Sequence, residues 1–441
     1  MIATKLTDIF SHFTNEPIEI GKLESLYVPA AKARGDNPTR GMKLYLESTK
    51  KPVKILFAGY RGCGKSTELN KLQSEIQTKF AVLNYSIMDE SDPMSLTYID
   101  LLIITMEKLF AFADKENLDI SKAYLDTIQG WVATKEIQEI REKYVGAETE
   151  FGVDAQFTIP LLSKFFAKLK IAGKTSKNFK EVLKREDNPR LSELVFRCND
   201  LIREINHIGR RRGFRDVVII IEDLDKVPID RAESLFLNYA SQLVQLESYV
   251  IFTFPITLLY NQKFNVIRQY FDNDFELPMI KVFNKDGSEN TEGRSILREI
   301  VSKRMNLALF NRLELLDILI GYSGGCLRDL FRMIIESASN ALIMENETIM
   351  DGDIKKGIQR LKNDYANTIS DNRKADGNFI AAQDYFNTLV EVATSTTKKP
   401  NNTEALLDLR QNLCVLGYNG ENWVDVHPLV KDILRDKGLL A

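Results

Sequence analysis

Apolar runs and helix-like periodicities alternate along much of the chain. Apolar runs of strand length occur at four places, and the segments after two of them repeat apolar residues at the three- and four-residue spacing of a helix. Strands of a parallel sheet covered on both faces are nearly all apolar, so this alternation predicts an α/β core. The predicted strands are Val53–Ala58, Ala81–Ile87, Val217–Ile221 and Tyr249–Phe254, and the predicted helices are Thr67–Lys79 and Leu96–Phe112.

The strand pattern stops between Ala113 and Arg215, where helices with charged faces are favoured. We therefore predict a helical insertion into the core at about residues 113–215. Its basic parts fit either a nucleic-acid contact or an amphipathic helix with a solvated lysine face, and the second interpretation is favoured. These parts are Lys164–Arg185, which interleaves lysines with Phe165, Phe166 and Phe179, and the run Arg210–Arg212.

The flanking segments predict further units. Residues 1–51 read as an N-terminal strap, with a short amphipathic helix around Leu6–Phe13 and a loop at Arg34–Pro38. Residues 52–285 would form the core and residues 286–365 a helical lid. The polar segment Asn363–Asn378 is predicted to be a linker into a terminal unit at residues 366–441.

The terminal unit has the pattern of two helices followed by a hairpin. The helices are predicted at Tyr385–Ala393 and Glu404–Leu413. Two short apolar runs then flank Asn419–Asn422, and an Asn-Gly pair between such runs is a strong hairpin signal. This order predicts a small winged-helix-like domain.

Composition excludes several classes of protein. The 441 residues are 44% hydrophobic and 27% charged, with a net charge of −3, which is ordinary for a globular protein and excludes a strongly basic nucleic-acid coat. Four widely spaced cysteines without a C-x-x-C pair argue against a disulfide scaffold or a zinc ribbon and favour a reducing compartment. Neither a signal peptide nor a run of the roughly 20 apolar residues that span a membrane is evident, so we expect a cytoplasmic protein.

The strongest chemical signal is the segment Gly59–Thr67, which reads GYRGCGKST and matches G-x-x-x-x-G-K-[ST]. Glycines let backbone N–H groups surround a phosphate, and Lys65 supplies charge to the β- and γ-phosphates. The hydroxyl of Ser66 is offered to Mg²⁺. The predicted nucleotide-binding residues of this loop are Gly59, Arg61, Gly62, Cys63, Gly64, Lys65, Ser66 and Thr67.

A second signal is the strand Val217–Ile221, which runs into the acids of Glu222-Asp223-Leu224-Asp225. In a Walker B element one acid holds the magnesium shell and its neighbour orients or deprotonates the attacking water. By position Glu222 is the metal-side acid and Asp223 the catalytic acid, although one carboxylate could do either job. The predicted metal ligands are Ser66, Glu222 and Asp223.

Two further positions are candidate catalytic residues. Thr253 lies near the end of the apolar strand Tyr249–Phe254 and would touch a γ-phosphate or the attacking water; the alternative is a core threonine that bonds its own backbone. Thr257 is a weaker candidate for the same role. Arg328 follows the Gly324-Gly325 pair at the start of a helix and would reach the γ-phosphate; the alternative is a surface arginine on a capped helix.

These motifs, in this order, resemble AAA+ and STAND-type P-loop ATPases of bacteria, particularly those near origin-recognition ATPases and the KAP group. The resemblance covers roughly Leu26–Lys362 and rests on GYRGCGKSTEL, IIIEDLDK, FTFPITLL and SGGCLRDL; HPLV, with Trp423 before it, resembles a terminal winged helix of the same group. It implies a RecA-like core and a lid with ATP and Mg²⁺ between them, and it implies that Tyr27 and Val28 lie near the adenine.

Two departures from the family pattern are visible. Glu222 stands where aspartate is more usual, which leaves the magnesium geometry open. No unambiguous arginine finger is present. Four arginines that precede the Arg328 segment are candidates to reach a neighbouring subunit, namely Arg268, Arg294, Arg298 and Arg304.

The predicted function is an ATP-hydrolysing switch or assembly ATPase that forms homo-oligomers and regulates a partner protein. The resemblance also suggests a setting in bacterial antiphage defence. The alternative is a DNA-binding initiator or loader. Residues 376–441 hold six bases and nine acids, a balance of 6 − 9 = −3, and such an acidic unit is a poor binder of phosphates. A scaffold that binds nucleotide without turnover is a third hypothesis.

Overall fold

In a computed structural model, the described residues are 2–132, 158–175, 189–374, 377–418 and 423–440. Within them, five parallel strands form one sheet in the order β2-β3-β4-β1-β5. The predicted α/β parallel-sheet core is therefore confirmed. The strands are β1 (Lys54–Gly59), β2 (Ala81–Ser86), β3 (Val217–Glu222), β4 (Tyr249–Phe254) and β5 (Asn273–Leu277).

The sequence missed β5. Its residues, NDFEL, are mostly polar and half-buried, because an edge strand is covered less completely than the central β1 and β4. β5 pairs with β1 so that Ala58 lies opposite Glu276, while Ala58 lies opposite Phe254 of β4 on the other side. The residue before the Gly59 loop is thus held between two strands.

Two longer helices flank the first strand. α1 (Pro38–Ser48) and α2 (Lys65–Ile76) contact each other, and α2 begins at Lys65 rather than at the predicted Thr67. The predicted loop at Arg34–Pro38 is partly wrong, since Pro38 is the first residue of α1 and Asn37 caps it by accepting from Arg40 N at 3.0 Å.

Short helical segments complete the strap and the core connections. They are Leu6–Asp8, Ile9–His12, Ile20–Lys22, Leu23–Leu26, Ala31–Arg34, Ile87–Glu90, Pro93–Ser95, Ile229–Glu233, Ser234–Asn238, Ala240–Leu243, Ile256–Leu259, Phe264–Ile267 and Leu307–Leu309.

The insertion is helical wherever the structure describes it. Phe110, Trp131 and Phe166 stack in its interior, with ring centroids 5.5 Å apart for Phe110–Phe166 and 6.3 Å for Trp131–Phe166. Phe165 and Phe166 are fully buried, so they cannot stack on nucleic-acid bases. Its helices, together with the core helix that they contact, are α3 (Tyr98–Lys115), α4 (Lys122–Val132), α5 (Ile159–Thr175) and α6 (Pro189–Arg211).

Several of the basic side chains of the insertion are used internally. Lys170 pairs with Glu90 and Glu107, Arg210 bonds Asp216 at 2.6 Å, and Arg212 donates to the carbonyl oxygen of Glu116 at 2.7 Å. Phe179 lies outside the described residues. The favoured interpretation, an amphipathic helix with a solvated face, agrees with the described part.

Beyond the sheet lies a helical layer. Its helices are α7 (Thr291–Ser302), α8 (Glu314–Ser323), α9 (Leu327–Ile343) and α10 (Asp351–Thr368). The predicted linker Asn363–Asn378 is wrong in its first part, because α10 continues to Thr368 and buries Tyr365. Across the described residues, none of the helices combines the length and apolar character that a membrane crossing requires.

The C-terminal unit, residues 371–440, joins two helices, a hairpin and a last helix. The strands β8 (Val415–Tyr418) and β9 (Trp423–Val426) pair antiparallel as predicted, and the segment between them, Asn419–Asn422, lies outside the described residues. The last helix was not foreseen. The elements are the pair β6 (Asn372–Arg373) and β7 (Phe379–Ile380), then α11 (Ala382–Thr394), α12 (Glu404–Gln411), β8 (Val415–Tyr418), β9 (Trp423–Val426) and α13 (Pro428–Asp436).

Candidate nucleotide-binding site

A cavity of about 950 Å³ opens between the strap, the loop after β1 and the lid helices. The carboxyl ends of parallel strands meet at one edge of a sheet, so the predicted site segments converge there. Gly59 and Cys63 do not line this cavity, and Cys63 is buried. The predicted residues that do line it are Tyr27, Val28, Arg61, Gly62, Gly64, Lys65, Ser66, Thr67, Glu222, Asp223, Thr253 and Arg328.

The loop after β1 needs glycine at two positions. Gly62 and Gly64 have φ values of 76° and 102°, a backbone region that other residues rarely adopt. A Cβ on Gly62 would also lie 2.6 Å from the Cβ of Arg328. Gly62 therefore allows both the turn and the close approach of α9 to the loop.

Lys65 is held by three oxygens. Its Nζ donates to the carbonyls of Gly59 at 2.8 Å and Tyr60 at 3.0 Å, and it lies 3.0 Å from Oδ2 of Asp225. Burial lowers the pKa of Lys65, but the charge and hydrogen bond of Asp225, together with the nearby Cys63, more than offset this, so the pKa lies above its usual value. The ammonium group is thus charged and carries a carboxylate partner.

Sequence reasoning missed Asp225 as a functional residue. It assigned the acids at Glu222 and Asp223 but gave no role to the third acid of the same E-D-L-D segment. The available signal was the spacing, because a carboxylate just past a strand end can turn back towards the neighbouring loop. Only the fold shows that this carboxylate faces Lys65.

Glu222 ends β3 in a nearly buried position, with 8% of the residue exposed. Burial raises the pKa of Glu222, and the charges of Asp223 and Asp225 raise it further, whereas hydrogen bonds from Ser66 and Asn84 oppose the rise. Two of the predicted metal ligands, Ser66 and Glu222, are therefore in direct contact.

These oxygens fit a magnesium ion. Three carboxylates crowd a short segment, and within the described part of the chain Glu222 interacts with Ser66 and Asn84 and makes no ion pair. Mg²⁺ prefers oxygen ligands and is bound through one or two carboxylates together with substrate phosphates. Across the described residues no group of three or more His, Cys, Asp or Glu side chains forms a complete metal cage. Ser66 and Glu222 are the residues that would hold the ion.

Asp223 adopts an unusual backbone conformation, with φ of 69°. Non-glycine residues in this region are uncommon and store strain, which is often found at functional sites. Its carboxylate accepts from Ser86 Oγ at 2.6 Å and lies 2.6 Å from the Nζ of Lys226. Asp223 is thus fixed at the cavity wall by two partners.

Thr253 is buried, and its hydroxyl forms hydrogen bonds with the neighbouring strand β3 and the turn that follows it. Its Oγ1 accepts from Leu224 N at 2.9 Å and donates to the Ile221 carbonyl at 3.3 Å. These bonds tie β4 to the turn that carries the acids. The alternative interpretation is right that Thr253 is a core threonine that bonds backbone, but the backbone groups belong to Ile221 and Leu224 and not to Thr253 itself.

Arg328 lies in the first turn of α9 and faces the cavity. Among the described residues its guanidinium makes no hydrogen bond or ion pair, although it is close enough to Lys65 to lower the pKa of that lysine. A half-buried arginine without a partner beside a lysine-bearing loop is free to bind an anion there.

Three of the four candidate finger arginines are engaged within the chain. Arg268 pairs with Asp274 at 3.1 Å, Arg294 with Glu289 at 2.7 Å and Arg298 with Asp317 at 2.5 Å. The role of these three arginines towards a neighbouring subunit stays a prediction.

Arg304 has a different environment from the one expected. It lines this chain's own cavity, is only 7% exposed, and stacks on Phe331 with 5.1 Å between the guanidinium carbon and the ring centroid. Burial lowers the pKa of Arg304 to about 10. A side chain enclosed in this way faces this chain's own cavity, and its role towards a neighbouring subunit stays a prediction.

The strap is fixed to α2. Ile18 N donates to Thr67 Oγ1 at 3.2 Å, and Asn70 donates to the Ile18 carbonyl at 3.0 Å. Tyr27 donates its hydroxyl to Glu68 at 3.1 Å; burial, reinforced by the charge of Glu68, raises the pKa of Tyr27 well above its usual value. The strap wall with Tyr27 and Val28 is thus held at the cavity, and its position beside an adenine stays a prediction.

Comparison with known proteins gives a fold-level similarity only. No protein-family model matches the sequence, and no curated protein matches it. Similar solved structures include a Walker-type ATPase of Pyrococcus abyssi (14% identity, 93% of this chain and 99% of that chain, TM-score 0.40). They also include the ORC2 protein of Aeropyrum pernix in ADPNP–ADP complexes (9%, 97% and 98%, 0.39) and Cdc6p of Pyrobaculum aerophilum (10%, 99% and 100%, 0.38). Because these TM-scores are below 0.5, the similarities carry no argument about function. A functional assignment has to rest on the geometry of the chain itself.

Proposed function

We propose that this chain is a P-loop ATPase of the AAA+ kind that binds ATP with Mg²⁺ in the cavity and hydrolyses it. The observation that carries the proposal is the position of Lys65. It belongs to the G-x-x-x-x-G-K-S segment between strand β1 and helix α2, and it faces Asp225, which follows β3, two strands away from β1 in the sheet. This combination of loop and acids is the common machinery of phosphoryl transfer.

Each residue has a distinct role in the proposed reaction. The backbone N–H groups of the loop and Lys65 bind the β- and γ-phosphates, and Arg328 reaches the γ-phosphate from the lid. Ser66 and Glu222 hold the magnesium ion, which neutralises charge that develops on the phosphate oxygens. Asp223 orients the attacking water and takes its proton.

The contacts of the two acids support this division of labour. Glu222 contacts Ser66, the other proposed metal ligand, whereas Asp223 contacts Ser86 and Lys226. Thr253 bonds the backbone of Ile221 and of Leu224, on either side of the two acids, and thereby positions both.

The C-terminal unit supports a switch more than a DNA-binding initiator. The apolar side chains of α12, among them Leu406, Leu407 and Leu409, are buried, and most of the β8–β9 pair is buried as well. Two helices followed by a hairpin fit a winged-helix-like fold. Because its elements are largely covered and the unit is acidic, we propose that it acts on protein rather than on duplex DNA. Homo-oligomers and a protein partner belong to the same proposal.

Calorimetry with ATP and Mg²⁺ tests the central claim. We expect wild-type protein to bind ATP and the Lys65→Ala variant to lose binding, because the phosphates lose their counter-charge. Lys355→Ala, at an exposed position on α10, is the matched control and should bind like wild type. Equal ATP affinity in the Lys65→Ala variant and the wild type would refute the proposed site.

The initiator alternative is tested by binding to short DNA duplexes. A switch that acts on protein should show weak binding at moderate salt. Micromolar affinity whose logarithm falls steeply with the logarithm of salt concentration would support the initiator instead.

A further inference from the structure

Tyr60, the residue after Gly59 in the phosphate loop, packs against the C-terminal unit. It is fully buried, and its hydroxyl accepts a hydrogen bond from Nη1 of Arg410 in α12 at 3.0 Å. A Cβ on Gly417 of β8 would lie 2.6 Å from the Tyr60 hydroxyl oxygen, so only glycine leaves room for this ring. Helix α12 and strand β8 of the C-terminal unit therefore both contact Tyr60.

Arg410 belongs to a buried polar cluster at the edge of the sheet. It is 4% exposed, and its guanidinium carbon lies 3.9 Å from the centroid of the Tyr260 ring. Tyr260 donates to Glu276 of β5 at 2.7 Å. Burial raises the pKa of Glu276, and the positive charge of Arg410 opposes the rise. Arg410 thus provides the cation for a buried carboxyl group next to β1.

The path from Arg410 to the phosphate site is short. The carbonyl oxygen of Tyr60 accepts from Nζ of Lys65 at 3.0 Å, while the hydroxyl at the other end of the residue binds Arg410. Any shift of Tyr60 that follows from loss of the Arg410 contact moves one of the three oxygens that hold Lys65.

The same unit also contacts the helix that carries Arg328. Nε2 of His427 lies 3.2 Å from Oδ2 of Asp329, and Tyr365 donates to that carboxylate at 2.6 Å. Tyr418 of β8 donates to the carbonyl of Gly324, in the turn before α9, at 2.7 Å. The C-terminal unit therefore bonds the loop that contains Lys65 and the helix start that contains Arg328.

We propose that Arg410 is a positioning residue for nucleotide binding, which acts through Tyr60 on the phosphate loop. Docking of the C-terminal unit organises the loop, so docking and ATP binding favour each other. Linkage makes this reciprocal, because a unit that strengthens ATP binding is itself held more tightly when ATP is bound. The inference rests on the proposed function, since it requires ATP to occupy the loop.

Two conservative variants of the full chain test the inference. Tyr60→Phe removes only the hydroxyl and keeps the ring over Gly417, and Arg410→Lys keeps the positive charge beside Glu276 but loses the planar contact. The control is Arg435→Lys, which changes an exposed arginine of the same unit that pairs with Asp432. The measurements are the dissociation constant for ATP with Mg²⁺ and amide hydrogen exchange over residues 404–418 with and without ATP.

We expect each test variant to weaken ATP binding by about fivefold or more, the lower end of typical coupling between sites. The control should stay within about twofold. In wild type, ATP should slow exchange over residues 404–418, and Tyr60→Phe should reduce this slowing. A residue that only supports the fold would not make exchange in the C-terminal unit depend on ATP.

The outcomes separate the two proposals. If wild type binds ATP and both folded variants bind it equally well, the inference is wrong while the proposed function stands. If both variants fail to fold, exchange in wild type decides, and an ATP-independent rate over residues 404–418 overturns the inference. If wild type does not bind ATP, the proposed function itself fails.

Discussion

Lys65 and Asp225 form a buried ion pair, with Nζ and Oδ2 3.0 Å apart and side chains 8% and 5% exposed. The lysine that is proposed to bind phosphate is therefore neutralised by a carboxylate of its own chain. A triphosphate that enters the loop competes with Asp225 for this ammonium group. The pair keeps Lys65 charged and in place when no phosphate is bound.

Asp225→Asn should destabilise the protein without nucleotide and increase its response to ATP. Removing one partner of a buried pair leaves the other charge uncompensated, at a cost of about 3–5 kcal/mol. ATP would restore a negative partner, so the rise in melting temperature on adding ATP should exceed that of wild type. Thermal unfolding with and without ATP measures both effects.

Asp230→Asn is the control for that experiment, because Asp230 is exposed and its one ion pair within the described residues is with its neighbour Arg231, at 3.4 Å. It should match wild type. The Asp225→Asn variant could instead have the melting temperature of wild type, and ATP could raise that temperature by no more than it does in wild type. This result would show that the ion pair has no part in nucleotide binding.

Asp223→Asn should bind ATP but hydrolyse it slowly. An amide cannot take the proton of the attacking water, and loss of a general base costs about 100-fold or more in rate. Phosphate release in single-turnover experiments measures the chemical step, and calorimetry measures binding. Wild-type turnover in this variant would assign the base to another residue.

Glu222→Gln should change stability with a defined pH dependence. The folded protein raises the pKa of Glu222 above its ordinary value of 4.5. Such a carboxyl group binds its proton more tightly in the folded state, so stability falls as the pH rises from the ordinary value through the raised pKa. The nucleotide-free variant should therefore melt above wild type near neutral pH, and the difference should shrink towards the ordinary pKa.

The same variant should lose the magnesium dependence of ATP binding. Glu24→Gln, a change at an exposed glutamate, serves as the control for both measurements. A melting difference that grows as the pH falls would contradict the sign of the Glu222 shift.

Arg328→Ala should slow hydrolysis more than it weakens ADP binding, by at least about tenfold, because a γ-phosphate contact is made with ATP alone. Arg332→Ala on the same helix is the control, since Arg332 pairs with Asp364 at 2.6 Å on the surface. Steady-state turnover and ADP calorimetry make the comparison. Equal losses for ATP turnover and ADP binding would assign Arg328 a structural role.

The sequence predicted four of the five core strands and missed the edge strand β5. β1 to β4 are mostly apolar and gave a clear signal, whereas β5 is mostly polar and half-buried. α1 was not predicted, because Pro38 and Gly41 interrupt its pattern, although proline at the first helical position is favourable and Gly41 makes room for the Phe275 ring. The end of α10 was read as a linker because its surface is polar.

The phosphate loop, its lysine and the acidic strand end were evident from the sequence alone. The chemistry of each motif is carried by residues close together in the chain at fixed spacing. Local backbone geometry is therefore enough to place the residues of one motif together. The partners of those residues were decided only by the tertiary structure. Asp225 opposite Lys65, Arg304 inside its own cavity, and Arg410 on Tyr60, 350 residues away in the chain, depend on how distant elements pack, and no local pattern of hydrophobic and polar residues records that packing.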